Sequence, residues 1–154
     1  YEEQKAAGVT LTPQMISTGL PDIMMPVASL EALDAISPDF PALSKLSEKY
    51  EVVGVHAFTL DCGGKQGETC HVRNFAPLYD IDEEAATGTS NGALTYYGYL
   101  NGFVKDGDDC RFIQGEKMER PSVILSHLKA DGSGNCSIQV GGSGVMLAEG
   151  DIRL

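Results

Sequence analysis

The residues of this 154-residue chain best suited to chemistry lie between positions 83 and 90. There Glu83-Glu84 is followed, after two alanines, by Thr87-Gly88-Thr89-Ser90. A glutamate facing an enclosed site donates or accepts a proton once burial raises its pKa. A glycine- and hydroxyl-rich helix start presents free N–H groups and the positive end of the helix dipole, which together hold a carboxylate or a phosphate. Each feature also has an ordinary reading: two solvated glutamates complementing the helix dipole, and a capped helix whose Gly88 and Gly92 permit close packing. No lysine follows the second glycine, so the segment is not a nucleotide-binding P-loop.

Other reactive side chains form weaker patterns. His56 falls within one apolar run, and His71 and Arg73 share a parity on the next. A metal site needs two or three such ligands to converge, and nothing in these spacings, or in the distant His127, enforces convergence; no metal is expected. Ser17-Thr18-Gly19 before Leu20-Pro21 offers donors to a ligand or forms a plain turn. The four cysteines, Cys62, Cys70, Cys110 and Cys136, have no CxxC spacing and no basic or helix-start context, and so read as inert reduced thiols.

The elements that must position these groups follow from periodicity and turn residues. No charged residue occurs from Ala85 to Val104, so a helix there has to be buried on every side. Its threonines, glycines and three tyrosines argue against a membrane span. Upstream, residues 23–28 read as a strand, Ser29 caps a short helix over residues 30–36, and residues 39–50 form a second helix. Residues 52–60 and 69–76 read as a hairpin around the polar turn Asp61-Cys62-Gly63-Gly64-Lys65-Gln66-Gly67. Residues 111–118, 122–129, 137–140 and 145–148 read as strands, the last two joined tightly by Gly141-Gly142-Ser143-Gly144. The expectation is an α+β fold: a mostly antiparallel, curved sheet wrapped around one central buried helix.

Length and charge set the outer limits. One domain is expected at this length. Eleven basic against 22 acidic residues give a formal charge of −11, opposite in sign to the footprint that nucleic acid or an anionic membrane requires. Reduced thiols and the lack of a long apolar run point to a cytoplasmic protein. The chain begins at Tyr1 rather than methionine, so a piece of something longer is expected.

Several motifs agree in order with one family. Arg73-Asn74-Phe75-Ala76-Pro77 and Glu83-Glu84-Ala85-Ala86-Thr87-Gly88-Thr89 match a hallmark close to Arg-x-Phe-Ala-Pro, then Glu-Asp-Pro-Ala-Thr-Gly-Ser. Ser17-Thr18-Gly19-Leu20-Pro21 lies upstream; Gln114-Gly115, Met118-x-Arg120-Pro121-Ser122, Val140-Gly141-Gly142 and Gly150-Asp151-Ile152 lie downstream. On these residues the chain resembles the C-terminal half of the phenazine-biosynthesis-like (PhzF-like) isomerases and epimerases, which have a diaminopimelate-epimerase-like fold. The resemblance implies two similar halves, each a sheet around a central helix, with the site in the cleft between them. It implies cofactor-independent proton transfer at carbon of a small carboxylate substrate. Thr87, Gly88, Thr89 and Ser90 would bind the substrate, and Glu84 would act as the catalytic group. The family's principal acid/base glutamate belongs to the N-terminal half, which is missing here, so this chain alone is expected to be inactive. Two copies facing each other as a homodimer would offer another way to build a cleft. The family aspartate is Glu84 in this chain, one methylene longer, and the proline after it is Ala85. A non-enzymatic module of the same fold, binding a small acid or a partner protein, is the alternative.

Overall fold

Alternating burial along residues 21–26 shows how the sheet divides the molecule. In the computed structural model, which describes residues 5–6 and 8–151, strand β4 (Pro21–Pro26) alternates half-buried and buried positions. Met24 joins the core around the long helix, and Met25 joins a second core on the other face. Tyr1 and Ile152 lie outside the described residues.

The main sheet is formed by β3 (Gln14–Ser17), β4, β5 (Val55–Thr59), β6 (Cys70–Ala76), β7 (Ile81–Glu84), β8 (Asp109–Gln114), β9 (Ser122–Ala130) and β10 (Cys136–Gly141). Its order is β10-β9-β8-β6-β5-β4-β3, with β7 paired to β6 off that path. The strands β1 (Lys5–Ala6) and β2 (Val9–Thr10) form a separate short ladder. The fold is α+β and the sheet is mixed, because β4 runs parallel to β5 and β6 runs parallel to β8. The remaining pairs in it are antiparallel, including the expected hairpin of β5 and β6. Those parallel contacts bring together strands separated by long connections, which residue patterns cannot reveal.

Helix α3 (Gly88–Leu100) packs against β3, β4, β9 and β10. Ala93, Leu94 and Tyr97 are fully buried there, Tyr97 meeting Phe58 edge to face at 5.3 Å between ring centroids. The helix is shorter at both ends than its uncharged stretch. Before it, Ala85 and Ala86 stay outside the helix, because Gln114 Nε2 donates to the Glu84 carbonyl and Ser122 Oγ to that of Ala85. After it, Gly102 adopts φ +82° and the Phe103 amide returns to the Gly98 carbonyl, the closing bond of a Schellman stop.

Helices α1 (Leu30–Asp34) and α2 (Phe40–Tyr50) cover the opposite face of the sheet. Ser29 caps α1 as expected, accepting from the amide of Ala32, and Asp39, expected within the second helix, instead caps it, accepting from the amide of Ala42. Two strands were misjudged. The one expected over residues 111–118 ends at Gln114, since Gly115 turns the chain at φ +80° into a 3-10 turn over Glu116–Met118. Residues 145–148 form no strand: Val145, Met146 and Leu147 are 82–90% exposed and have no ladder partner among the described residues. Gly141-Gly142-Ser143-Gly144 therefore closes no hairpin.

Candidate functional site

The two adjacent glutamates face different surroundings, as successive strand residues must. Glu83 takes a two-pronged hydrogen bond from Arg73, Nε to Oε1 at 2.9 Å and Nη2 to Oε2 at 2.8 Å. The guanidinium also donates through Nη1 to the carbonyls of Leu33 and Ile36 at the end of α1, and lies over the Phe75 ring. Arg73 is almost wholly buried and ties β6, β7 and α1 together. Glu83 is thus a structural partner rather than a free acid.

Glu84 faces the start of α3. Its Oε2 accepts from Thr87 Oγ1 at 2.8 Å. Thr87 occupies the N-cap position without capping through its side chain, and its amide donates to Gln114 Oε1 at 3.2 Å. The next amides, of Gly88, Thr89 and Ser90, have no carbonyl to bond within the helix. A cavity of about 430 Å³ opens there, lined among others by Asp22, Asn74, Glu84, Thr87, Gly88 and Thr89, with Ser90 also in its wall. Every site residue expected from the sequence therefore borders one space. A larger cavity, about 600 Å³, lies on the other flank of the helix start, sharing Gly88 and Thr89. Its walls carry no acidic or histidine side chain, whereas Asp22 and Glu84 both line the smaller one.

Asp22 was not anticipated. It is 1% exposed, accepts from Ser90 Oγ through Oδ2 at 2.5 Å, and leaves Oδ1 without a partner. A buried unpaired carboxyl oxygen is costly in a protein interior and calls for a ligand or a catalytic explanation. The signal was available: position 22 falls on the helix-facing, otherwise apolar side of β4, where an acid breaks the strand pattern.

Behind the cavity lies a buried polar chain. His56 Nε2 meets Asn91 Oδ1 at 3.3 Å, and Nδ1 meets Asn74 Oδ1 at 2.9 Å. Asn91 Nδ2 donates to Gln114 Oε1 and the Thr87 carbonyl, which fixes its oxygen toward His56. Both ring nitrogens thus face amide oxygens; a neutral ring donating from Nε2 to Asn91 requires the Asn74 amide to turn over and offer its nitrogen to Nδ1. Burial lowers the His56 pKa, against the raising influence of Asn74, Asp22, Asn91 and Glu84. His56 pairs with Asn74 in the ladder, whereas His71 pairs with Thr59, one position out of phase. The two histidines thus occupy opposite faces of the sheet and cannot share a ligand. His127 bonds Asp109 near the surface.

The Ser17-Thr18-Gly19 turn joins β3 to β4, and Thr18 Oγ1 donates to the Thr89 carbonyl at 3.3 Å. The cysteines are unpaired. Burial pushes the thiols of Cys62, Cys70 and Cys110 up from their ordinary value, so none is a ready nucleophile.

With this geometry in place, comparison with known proteins is direct. The model of the phenazine biosynthesis-like proteins matches residues 2–150. The chain belongs to that family. A trans-2,3-dihydro-3-hydroxyanthranilate isomerase of Pseudomonas fluorescens is 29% identical over 142 residues, spanning 92% of this chain and 45% of that protein. An uncharacterised isomerase of Clostridium acetobutylicum is 28% identical over 148 residues, spanning 92% and 47%. A PhzF-family phenazine biosynthesis protein of Bacillus anthracis superposes with a TM-score of 0.71 at 19% identity, covering 82% of this chain and 44% of that one, a likeness of fold. The chain thus spans about half the length of the curated relatives it matches. In this phenazine biosynthesis-like chain, Gly115 has a positional reason: a Cβ there would lie 2.3 Å from the Arg120 carbonyl oxygen and 2.8 Å from that of Ala85. The contact holds the segment leading from Glu84 into α3. No helix among the described residues is long and apolar enough to cross a membrane.

Proposed function

We propose that this chain is the C-terminal half of a two-domain, cofactor-independent isomerase or epimerase with a diaminopimelate-epimerase-like fold, α3 serving as its central helix. In this reading the amides of Gly88, Thr89 and Ser90 hold the carboxylate of a small substrate. Glu84 donates or accepts a proton at the neighbouring carbon. Removing that proton builds negative charge on the substrate, and the fixed positive end of α3 offsets it without reorganisation. Thr87 orients Glu84 through their hydrogen bond, while Ser90 is held by Asp22. The observation that carries this reading is the convergence of Glu84 with the unpaired helix-start amides on one cavity. The exposed Val145-Met146-Leu147 segment supports a further domain, because an apolar stretch of that kind marks a contact surface. The unpaired thiols and the acidic surface suit a cytoplasmic protein working on a small molecule.

The experiment is solvent deuterium exchange into small carboxylic acids, using this chain joined to the residues that precede it in its gene. Exchange is expected from the joined protein and not from this chain alone. Glu84→Gln is expected to slow it by about 10²- to 10⁴-fold, the usual weight of a general acid or base. Exchange that survives both Glu84→Gln and Thr89→Ala would remove the site assignment. One observation favours a second reading, a non-enzymatic acid-binding module: Glu84 is already engaged by Thr87. Carboxylate binding without exchange by the joined protein would establish it. Exchange by this chain alone, together with dimers in sedimentation, would favour a cleft built from two copies.

A further inference from the structure

A second cluster stands at the other end of β6 from Asn74. His71 is fully buried, yet both ring nitrogens meet carboxylates: Nε2 is 2.7 Å from Glu68 Oε2 and Nδ1 is 2.5 Å from Glu116 Oε2. The thiol of Cys62, from the same hairpin turn as Glu68, comes close as well. Ligand atoms of Cys62, Glu68 and His71 all lie within 4.8 Å of one another. None of these side chains borders the cavity at the start of α3.

We propose that Cys62, Glu68 and His71 form a binding site for a zinc-like divalent cation, with Glu116 orienting His71 from behind. The donor set is thiolate, carboxylate and imidazole, which suits a borderline-soft ion and does not suit magnesium or calcium. A histidine that ligates through one nitrogen while the other bonds a carboxylate is the usual outer arrangement of zinc sites, and Glu116 supplies that carboxylate. Four-coordinate zinc places its donors about 3.5 Å apart, given bonds of about 2.0–2.3 Å. The cluster therefore needs to contract by at most about 1.3 Å between Cys62 and its partners, while Glu68 and His71, now 2.7 Å apart, move apart to that spacing.

The turn that would contract is glycine-rich. Gly63, Gly64 and Gly67 all take positive φ, and Asp61 pins the turn's base by accepting from the amides of Leu30 and Gly63. Cys62 and Glu68 thus move on a short arm while His71 stays fixed in the sheet. Binding displaces the Cys62 thiol proton and replaces the hydrogen bond between His71 Nε2 and Glu68, leaving the fourth position to water. Lys65, 3.8 Å from Glu116, is the nearby cation; Asp61, Glu68 and Glu116 keep the surroundings acidic. The bound ion would staple the turn of the β5–β6 hairpin to β6, with Glu116 bracing His71, rather than take part in the reaction.

The test is titration of the full chain with zinc, followed by cobalt(II) as a spectroscopic probe. One ion per chain is expected, with a near-ultraviolet thiolate-to-cobalt band that vanishes in Cys62→Ser. Glu116→Gln, which keeps all three ligands, is expected to weaken binding by about 10- to 100-fold. Far-ultraviolet circular dichroism checks that each variant folds. Glu68→Gln, a mild change in a half-buried turn, gives an independent ligand test should Cys62→Ser fold poorly. The proposal is overturned if the folded chain binds no zinc, or if binding is unchanged by both Cys62→Ser and Glu68→Gln.

Discussion

Glu83 and Glu84 are neighbours in sequence and opposites in surroundings. Around Glu83 every charge is matched: Arg73 divides its donors between one carboxylate and carbonyls of α1. Around Glu84 the polar groups are left incomplete, with Asp22 Oδ1 unpaired and helix amides open toward a cavity. The difference separates what charge does in the two places. A satisfied buried charge fixes geometry, and an unsatisfied one stores binding capacity at the expense of stability. The first region positions the second, since β7 carries both glutamates and is held in place through Arg73.

The largest effect should come from breaking the matched side. Arg73→Met leaves Glu83 and the carbonyls at the end of α1 without their donor. Removing one partner of a buried ion pair costs about 3–5 kcal/mol, and Arg73 has further partners besides. Urea unfolding should show a loss of that size. A loss below about 1 kcal/mol would place this pair with ordinary surface ion pairs and erase the contrast.

The unmatched side should respond in the opposite direction. Asp22→Val with Ser90→Ala removes the buried carboxyl and its donor together, so neither is left unpaired. Replacing both partners by apolar groups is near-neutral or stabilising, up to about 1–3 kcal/mol when an unsatisfied group goes with them. The same double change should abolish binding of small carboxylates by the joined protein. A double variant destabilised as much as Arg73→Met would mean that Asp22 belongs to the scaffold.

How far this contrast could be read beforehand depended on whether its cause was local. Ser29 was legible as a cap because capping needs one side chain and the next three residues. The helix start at Thr87 and the cavity-facing role of Glu84, Gly88 and Thr89 rested on a compact run of residues, and motif order carried them further. Strand β7 was not legible: Ile81-Asp82-Glu83-Glu84 has poor strand composition and exists because β6 pairs with it and Arg73 anchors it. The converse failure occurred at residues 145–148, where β-branched and apolar residues promised a strand that finds no partner. The parallel pairs β4–β5 and β6–β8 were equally invisible, and they set which faces His56 and His71 occupy. Asp22 was legible in principle, as an acid on the core side of an alternating strand.

The smallest effect is one of pH, and it asks whether the unmatched side extends to the buried chain behind the cavity. Burial lowers the His56 pKa below its ordinary 6.5, so the unfolded chain takes up a proton that the folded one refuses. The sign follows. Above about pH 6.5 both states hold the ring neutral and no proton is exchanged on unfolding. As pH falls below that value the unfolded state gains protons and stability declines, by at most about 1.4 kcal/mol per pH unit, until the folded His56 titrates. The informative quantity is the difference between wild type and His56→Gln, which preserves His71 and His127. Urea midpoints measured between about pH 5 and pH 7 should show a shallower decline in the variant, because its residue 56 cannot take up the proton. Parallel curves would mean that the folded protein takes up the His56 proton as readily as the unfolded chain, with Asp22 and Glu84 offsetting the burial. The polar chain behind the cavity would then be a matched charge like Arg73, and the division between the two regions would end at Asn91.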